Sequence, residues 1–302
     1  MRVAAIDCGT NSIRLLIADV TGDRLSDVAR RMEIVRLGEG VDRTGRLAPE
    51  AIARTRHALL GYAAEIAELG IQRVRMCATS ASRDASNADE FREMVRGVLG
   101  VDPEVISGDE EARLSFAGAV TGLAAQAPYL VVDIGGGSTE FVTGETGVGA
   151  ALSVDVGCVR MTERHLRTDP PTAAQVAAAT ADIEAEVDRA LAAVPGRAAA
   201  TLVGLAGSVT TVAALALGLP GYDPARIHHA RIGYDAVEKV AAELLGATVA
   251  ERRALPVMHP GRADVIGAGA LILRTVMARS GHGSVVASEH DILDGIAYGL
   301  AQ

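Results

Sequence analysis

Apolar and polar positions alternate in two rhythms along the chain, and the rhythm restarts once. Arg2 to Ile6 is a short apolar run, and after a polar turn Ile13, Leu15 and Ile17 recur at every second position, so two successive strands are predicted. Leu25 to Val35 predicts a third strand, with loops at Gly38-Glu39-Gly40 and Thr44-Gly45. Pro49 then opens a helix that carries Ile52, Leu59, Ala63 and Ile66 on one face to about Leu69, where Gly70 ends it. A strand at Arg73 to Ala78, a helix at Asn87 to Leu99, a strand at Glu104 to Ile106 and a helix at Gly108 to Val120 follow.

The pattern begins again at Tyr129. Strands are predicted at Tyr129 to Asp133, Glu140 to Thr143 and Ala151 to Val156, and helices near Val159 to Leu166 and from Thr172 to Ala193. Leu202 to Leu205 reads as a buried strand, and Gly207 opens the next helix. Helices at Tyr234 to Leu245 and Arg262 to Arg279, a strand at Ser284 to Ala287 and a last helix from Ile292 complete the series. Strands alternating with helices predict an α/β fold in layers. The Gly, Gln and Pro content near Leu123 to Pro128 (Gly122, Gln126 and Pro128) places the boundary there, giving units 1–125 and 126–289. Two charge-free stretches, Leu114 to Val132 and Ala198 to Tyr222, are interrupted too often by Gly, Pro and hydroxyl residues to read as membrane spans.

Composition narrows the picture. With 302 residues and 49% hydrophobic content the chain has enough apolar material for two medium cores. A net charge of −9, aromatics at 3% and no Trp argue against a general nucleic-acid or anionic-membrane binder, so a polyanionic substrate has to be held locally. Cys8, Cys77 and Cys158 form no CxxC pair, which points to neither a disulfide framework nor a zinc site and fits a reducing cytoplasm. The amino terminus enters a strand with no basic segment and apolar signal core before it.

The candidate chemistry gathers at two turns. Asp7-Cys8-Gly9-Thr10-Asn11-Ser12 and Asp133-Ile134-Gly135-Gly136-Gly137-Ser138-Thr139 each follow an apolar strand and lie 126 positions apart. A strand, a tight turn and a second strand with an acid at the tip place backbone N–H groups on phosphate oxygens and a carboxylate on a metal ion. Asp7, Asp133 and Glu140 are therefore the candidate metal ligands, with an Asx-turn as the alternative for Asp7. Three consecutive glycines, Gly135, Gly136 and Gly137, followed by Ser138, read as close approach to a ligand, against the alternative of an unusually tight hairpin.

Three further segments compete with ordinary structural explanations. Asp109, Glu110 and Glu111 are a solvated first helical turn or include a carboxylate that orients water for attack on phosphorus. Arg83 is a phosphate clamp or an ion-pair partner of Asp84 or Asp89. Gly207 and Ser208 start a helix that attracts an anion, or serve close packing and capping. His228-His229 and Arg160, Arg164, His165 and Arg167 read as exposed basic faces, with trailing-phosphate contacts as the alternative. Lys239 is the only lysine, so no GxxxxGK[ST] loop exists, and GxSxG and HExxH are also absent.

Taken in order, Ile6 to Ser12, Ala78 to Ala85, Ile106 to Ala112, Asp133 to Glu140, Gly157-Cys158-Val159-Arg160, Ala206 to Thr211, Arg262 to Ile266 and Ser288 to Gly295 resemble the exopolyphosphatase and guanosine pentaphosphate phosphohydrolase family of the actin, sugar kinase and heat-shock ATPase superfamily. The resemblance implies a duplicated ribonuclease H-like α/β fold of two lobes around an interdomain cleft, with the last helix (about 290–302) folded back onto the first lobe. It implies Glu111 as general base, Asp133 and Glu140 as metal-linked catalytic residues, and Gly9, Thr10, Asn11, Ser12 and Arg83 as phosphate binders. The expected activity is release of terminal phosphate from inorganic polyphosphate with Mg²⁺, or Mn²⁺ in its place, by a cytoplasmic homodimer. Rival expectations are a guanosine pentaphosphate 5′-phosphohydrolase, an ATP-dependent phosphotransferase and a non-hydrolytic alarmone or phosphate sensor. Thr10 stands where Ser is common and Ala206 where Gly is frequent. Longer relatives add carboxy-terminal helical domains, so the expectation does not extend to processivity on long chains.

Overall fold

Because β1 (Arg2–Cys8) is apolar on both faces, it belongs in the interior of a sheet with cover on each side. The computed structural model, which describes residues 1–301, places it there. In the first compact unit, β1 pairs antiparallel with β2 (Ser12–Thr21), which pairs with β3 (Arg24–Ile34). Two short crossings follow: α1 (Val41–Thr44) and α2 (Pro49–Glu68) lead to β4 (Val74–Ala78), and α3 (Ser80–Asp84) and α4 (Ala88–Leu99) lead to β5 (Glu104–Val105). Strands β4 and β5 run parallel to β1, giving the order β3-β2-β1-β4-β5, and α5 (Gly108–Val120) closes the series.

The period-2 alternation sorts side chains onto two faces. Ala4, Ile6, Ile13, Leu15 and Ile17 join Leu59, Tyr62 and Phe91 in one core, while Val3, Ala5, Leu16 and Ala18 join Leu114, Ile292 and Ile296 in the other. That second face is covered by α5 and by α13 (Ile292–Leu300), which returns from the far end of the sequence. A Cβ on Gly295 would run into the Leu114 carbonyl, so α13 lies directly against α5. Its Asp294, 0% exposed, is held by Arg30 at 2.6 Å.

The second unit repeats the plan. β6 (Tyr129–Ile134), β7 (Thr139–Gly144) and β8 (Val148–Val154) form an antiparallel meander; α6 (Cys158–His165) and α7 (Ala173–Ala193) lead to β9 (Thr201–Leu205), parallel to β6. α8 (Ala206–Ala216), α9 (Pro224–Ile227), β10 (Arg231–Gly233), α10 (Tyr234–Gly246), α11 (Val249–Arg253) and α12 (Ile266–Ser280) precede β11 (Ser284–Ala287). The order is β10-β11-β9-β6-β7-β8, the first unit's five-strand arrangement with β10 added at one edge. The duplicated α/β fold is thus present as two compact units, Met1–Gly122 with the segment from Ile292, and Leu123–Asp291.

Most predicted elements fall within a few residues of the observed ones, and the differences have local causes. α12 starts at Ile266 rather than Arg262, because Pro260 sits in a separate turn in which the His259 side chain accepts from the Gly261 N–H. The short α1, α3, α9, α11 and β10 span too few residues to show a period. Among the described residues no helix is long and apolar enough to cross a membrane.

Candidate active site

In the first unit, parallel β1, β4 and β5 end on one edge of the sheet, and the candidate residues leave from there. The β1–β2 turn closes with the Gly9 N–H donating to the Ser12 carbonyl at 3.0 Å. Thr10 is buried and its hydroxyl lies 2.8 Å from that of Ser80 at the start of α3. The Asn11 carbonyl accepts from Val35 and Arg36. Among the described residues, the amide N–H groups of Thr10 and Asn11 donate no hydrogen bond, so these two are the donors left for a ligand, whereas that of Gly9 serves the turn itself. Asp7 faces Arg14 across the hairpin, with Oδ2 accepting from Nη2 at 2.6 Å and Nε at 3.1 Å.

Glu111 and Arg83 meet on the same edge. Ser107 caps α5 by accepting from the Glu110 N–H, which sets the first turn so that Asp109 is exposed while Glu111 is buried, 8% exposed. The solvated-turn explanation therefore holds for Asp109 but not for Glu111. Arg83 Nη1 donates to Glu111 Oε2 at 3.1 Å and to the Ile106 carbonyl at 3.0 Å. Arg83 thus has an acidic partner, but a distant one rather than Asp84 or Asp89. Its sequence signal is that β4 and β5 are adjacent parallel strands, whose following segments necessarily emerge side by side.

In the second unit, Gly135 donates to the Ser138 carbonyl at 3.0 Å, the counterpart of the Gly9–Ser12 bond. Asp133 and Glu140 are direct partners in the β6–β7 register, so both carboxylates project from one face; they are 7% and 1% exposed. Glu140 Oε1 accepts from the Ser153 hydroxyl at 2.8 Å. The carbonyls of Gly135 and Gly136 accept from the N–H groups of Cys158 and Val159 at 3.0 and 2.9 Å, so α6 begins against the glycine turn. A Cβ on Gly157 would collide with the Gly136 peptide, which accounts for glycine there. Among the described residues, the N–H groups of Gly136 and Gly137 donate no hydrogen bond.

At the α8 start the neighbouring groups come from residues distant in sequence. A side chain on Gly207 would occupy the place of the Arg262 guanidinium, whose Nη1 donates to the Thr211 hydroxyl at 3.1 Å. Ser208 is buried, and its hydroxyl lies against Gly269 rather than turning outward. The cation near this helix start is Arg262, a residue that sequence reasoning did not single out as a site residue. Ala206 adopts a left-handed conformation, φ 65°. The basic clusters are not simply exposed faces: Arg160 reaches the Gly137 carbonyl, Arg164 and His165 both bind Asp182, and His228 stacks on His229 with ring centroids 3.7 Å apart.

The Ppx/GppA phosphatase family model matches residues 16–301. The chain belongs to the Ppx/GppA phosphatase family. It is 54% identical over 315 aligned residues to Exopolyphosphatase 2 of Mycobacterium tuberculosis, covering 99% of this chain and 98% of that protein. It resembles the crystal structure of an exopolyphosphatase-like protein with TM-score 0.94 and 46% identity, over 99% of this chain and 98% of the other. It also resembles the Aquifex aeolicus Ppx/GppA family member, with TM-score 0.84 and 33% identity, over 100% of this chain and 98% of the other. The two α/β units are those of the actin-like superfamily to which these phosphatases belong. The expectation of a hydrolase is met by the family itself.

The three candidate metal ligands differ in their partners: Asp7 faces Arg14, and Asp133 faces Glu140. Among the described residues no group of three or more His, Cys, Asp or Glu side chains is placed to hold an ion, and Asp7 is paired with Arg14. Asp133 and Glu140 do fit a cation of the Mg²⁺ kind, which is commonly held by one or two carboxylates together with water and substrate phosphate.

Proposed function

We propose that this phosphatase is an exopolyphosphatase that releases orthophosphate from the end of inorganic polyphosphate with the help of a divalent cation, Mg²⁺ or Mn²⁺. The observation that carries the proposal is the burial of Glu111 beside Arg83, in a chain 54% identical to a protein named exopolyphosphatase. The N–H groups of Thr10, Asn11, Gly136 and Gly137 are phosphate-oxygen donors, and Arg83 adds a charge-assisted donor. Glu111 accepts the proton of the attacking water as its oxygen bonds to the terminal phosphorus. The bridging P–O bond breaks, and the shortened chain leaves with the electron pair. Asp133 and Glu140 hold the cation, which when bound offsets charge on the phosphoryl oxygens. A cytoplasmic homodimer belongs to the same proposal; sedimentation at micromolar protein checks the dimer.

The test is phosphate release measured side by side on short polyphosphate, long polyphosphate and guanosine pentaphosphate. Polyphosphate is expected to be hydrolysed best. Glu111→Gln is expected to unfold at close to the wild-type temperature and to lose about 10²- to 10⁴-fold in rate. Wild-type turnover in that variant would remove Glu111 from the mechanism, and preference for the nucleotide would reassign the substrate.

A further inference from the structure

Three consecutive glycines give the second turn no side chain with which to hold its own backbone, so some other group has to fix it. A trans peptide is planar, and its C=O and N–H point in opposite directions. Fixing a carbonyl therefore fixes the N–H of the next residue. The Gly135 carbonyl is held by the Cys158 N–H at 3.0 Å, and the Gly136 carbonyl by the N–H groups of Val159 at 2.9 Å and Arg160 at 3.1 Å. These are backbone contacts from the first turn of α6, and they aim the N–H groups of Gly136 and Gly137 away from that helix. The third plane, Gly137–Ser138, has its carbonyl held by a side chain, Arg160 Nε at 2.7 Å.

The geometry points to Arg160 as a positioning residue that locks the third peptide of the glycine turn, so that the N–H groups of Gly136, Gly137 and Ser138 all face away from α6 toward bound phosphate. The Arg160 side chain is turned inward onto the glycine turn rather than laid on the surface. It is only 12% exposed, whereas Asp155, 4.0 Å away, is 77% exposed and adds little at that distance. The inference rests on the proposed phosphate chemistry for its effect on rate, but not for its effect on the turn.

Two substitutions separate the hydrogen bond from the charge. In Arg160→Gln the amide nitrogen is as many bonds from Cβ as Nε was, so the donor survives and the charge does not; in Arg160→Met neither survives. Arg160→Met is expected to lower kcat on short polyphosphate by about 10- to 100-fold, somewhat below the loss typical of deleting a transition-state donor outright, with KM changed less than about threefold. Arg160→Gln is expected to keep kcat within about threefold of wild type. Independently of activity, the ¹⁵N–¹H signals of Gly136, Gly137 and Ser138 are expected to shift, and their amide exchange to accelerate, in Arg160→Met but not in Arg160→Gln. If Arg160→Met does not fold, Arg160→Ala compared with and without added guanidinium replaces it. Unchanged rate and amide signals in the methionine variant, or equal losses in both variants, would overturn the inference. If the wild type releases no phosphate from polyphosphate, the functional proposal fails, while the amide comparison still decides the role of Arg160.

Discussion

The two Asp-led turns share a backbone and differ in charge. Each closes through a bond from its first glycine N–H to a serine carbonyl, and each sets an Asp directly opposite the residue seven positions on. In the first turn that residue is Arg14 and the local charge cancels; in the second it is Glu140 and two carboxylates stand side by side. A neutral pair beside unused N–H groups suits an anion. A carboxylate pair suits a cation, because two buried negative charges side by side are costly without one. In the proposed function the duplicated backbone therefore serves an anion at the first turn and a cation at the second, with the residue opposite the Asp, Arg14 or Glu140, as the difference.

The largest effect that would break this contrast comes from Glu140→Gln. Removing one of the two carboxylates is expected to reduce phosphate release by about 10²- to 10³-fold and to raise the Mg²⁺ concentration needed for half-maximal rate. Equal Mg²⁺ dependence in variant and wild type would return the cation to another site. Next in size is Arg14→Gln, which takes the guanidinium from the buried Asp7 carboxylate. A stability loss of about 2–3 kcal/mol is expected in urea denaturation, and Asp7→Asn in the same chain should recover part of it. Smallest is Ala206→Gly, where the copies also diverge: the β4–α3 step passes through Thr79 at φ −110°, the β9–α8 step through Ala206 at φ 65°. Relief of the left-handed strain, less the added chain entropy of glycine, should raise stability by about 0.5–1 kcal/mol. A lower urea midpoint would show that the Ala206 methyl group is held by packing instead.

What could be read in advance was whatever depends on neighbours in sequence. Asp133 and Glu140 oppose one another because the length of the turn between them fixes the register, and Ile13, Leu15 and Ile17 share a face because strands alternate. The resemblance set Glu111 apart from its two acidic neighbours, but its burial and its bond to Arg83 appear only in the structure, since they join segments that follow two different strands. The same distance hid Arg262 above Gly207, and the contact of Gly157 with the glycine turn. In each case a glycine was visible and the group that required it was not. Ser208 was ambiguous for a related reason: a hydroxyl at a helix start suits an outward anion site and an inward packing position alike, and the space left by Gly269, into which the hydroxyl turns, is distant in sequence.

The return of α13 to the first unit bears on how the molecule is made. During synthesis the first 122 residues leave the ribosome with one face of their sheet still bare, because Leu293, Ile296 and Ala297, which cover Val3, Ala5 and Leu16, lie beyond the whole second unit in sequence. The whole second unit is translated in the meantime, at about 5–20 residues per second, so that face waits on the order of ten seconds for its cover. Synthesis of the entire second unit, rather than completion of the first unit's own stretch of sequence, has to come before that core can be finished.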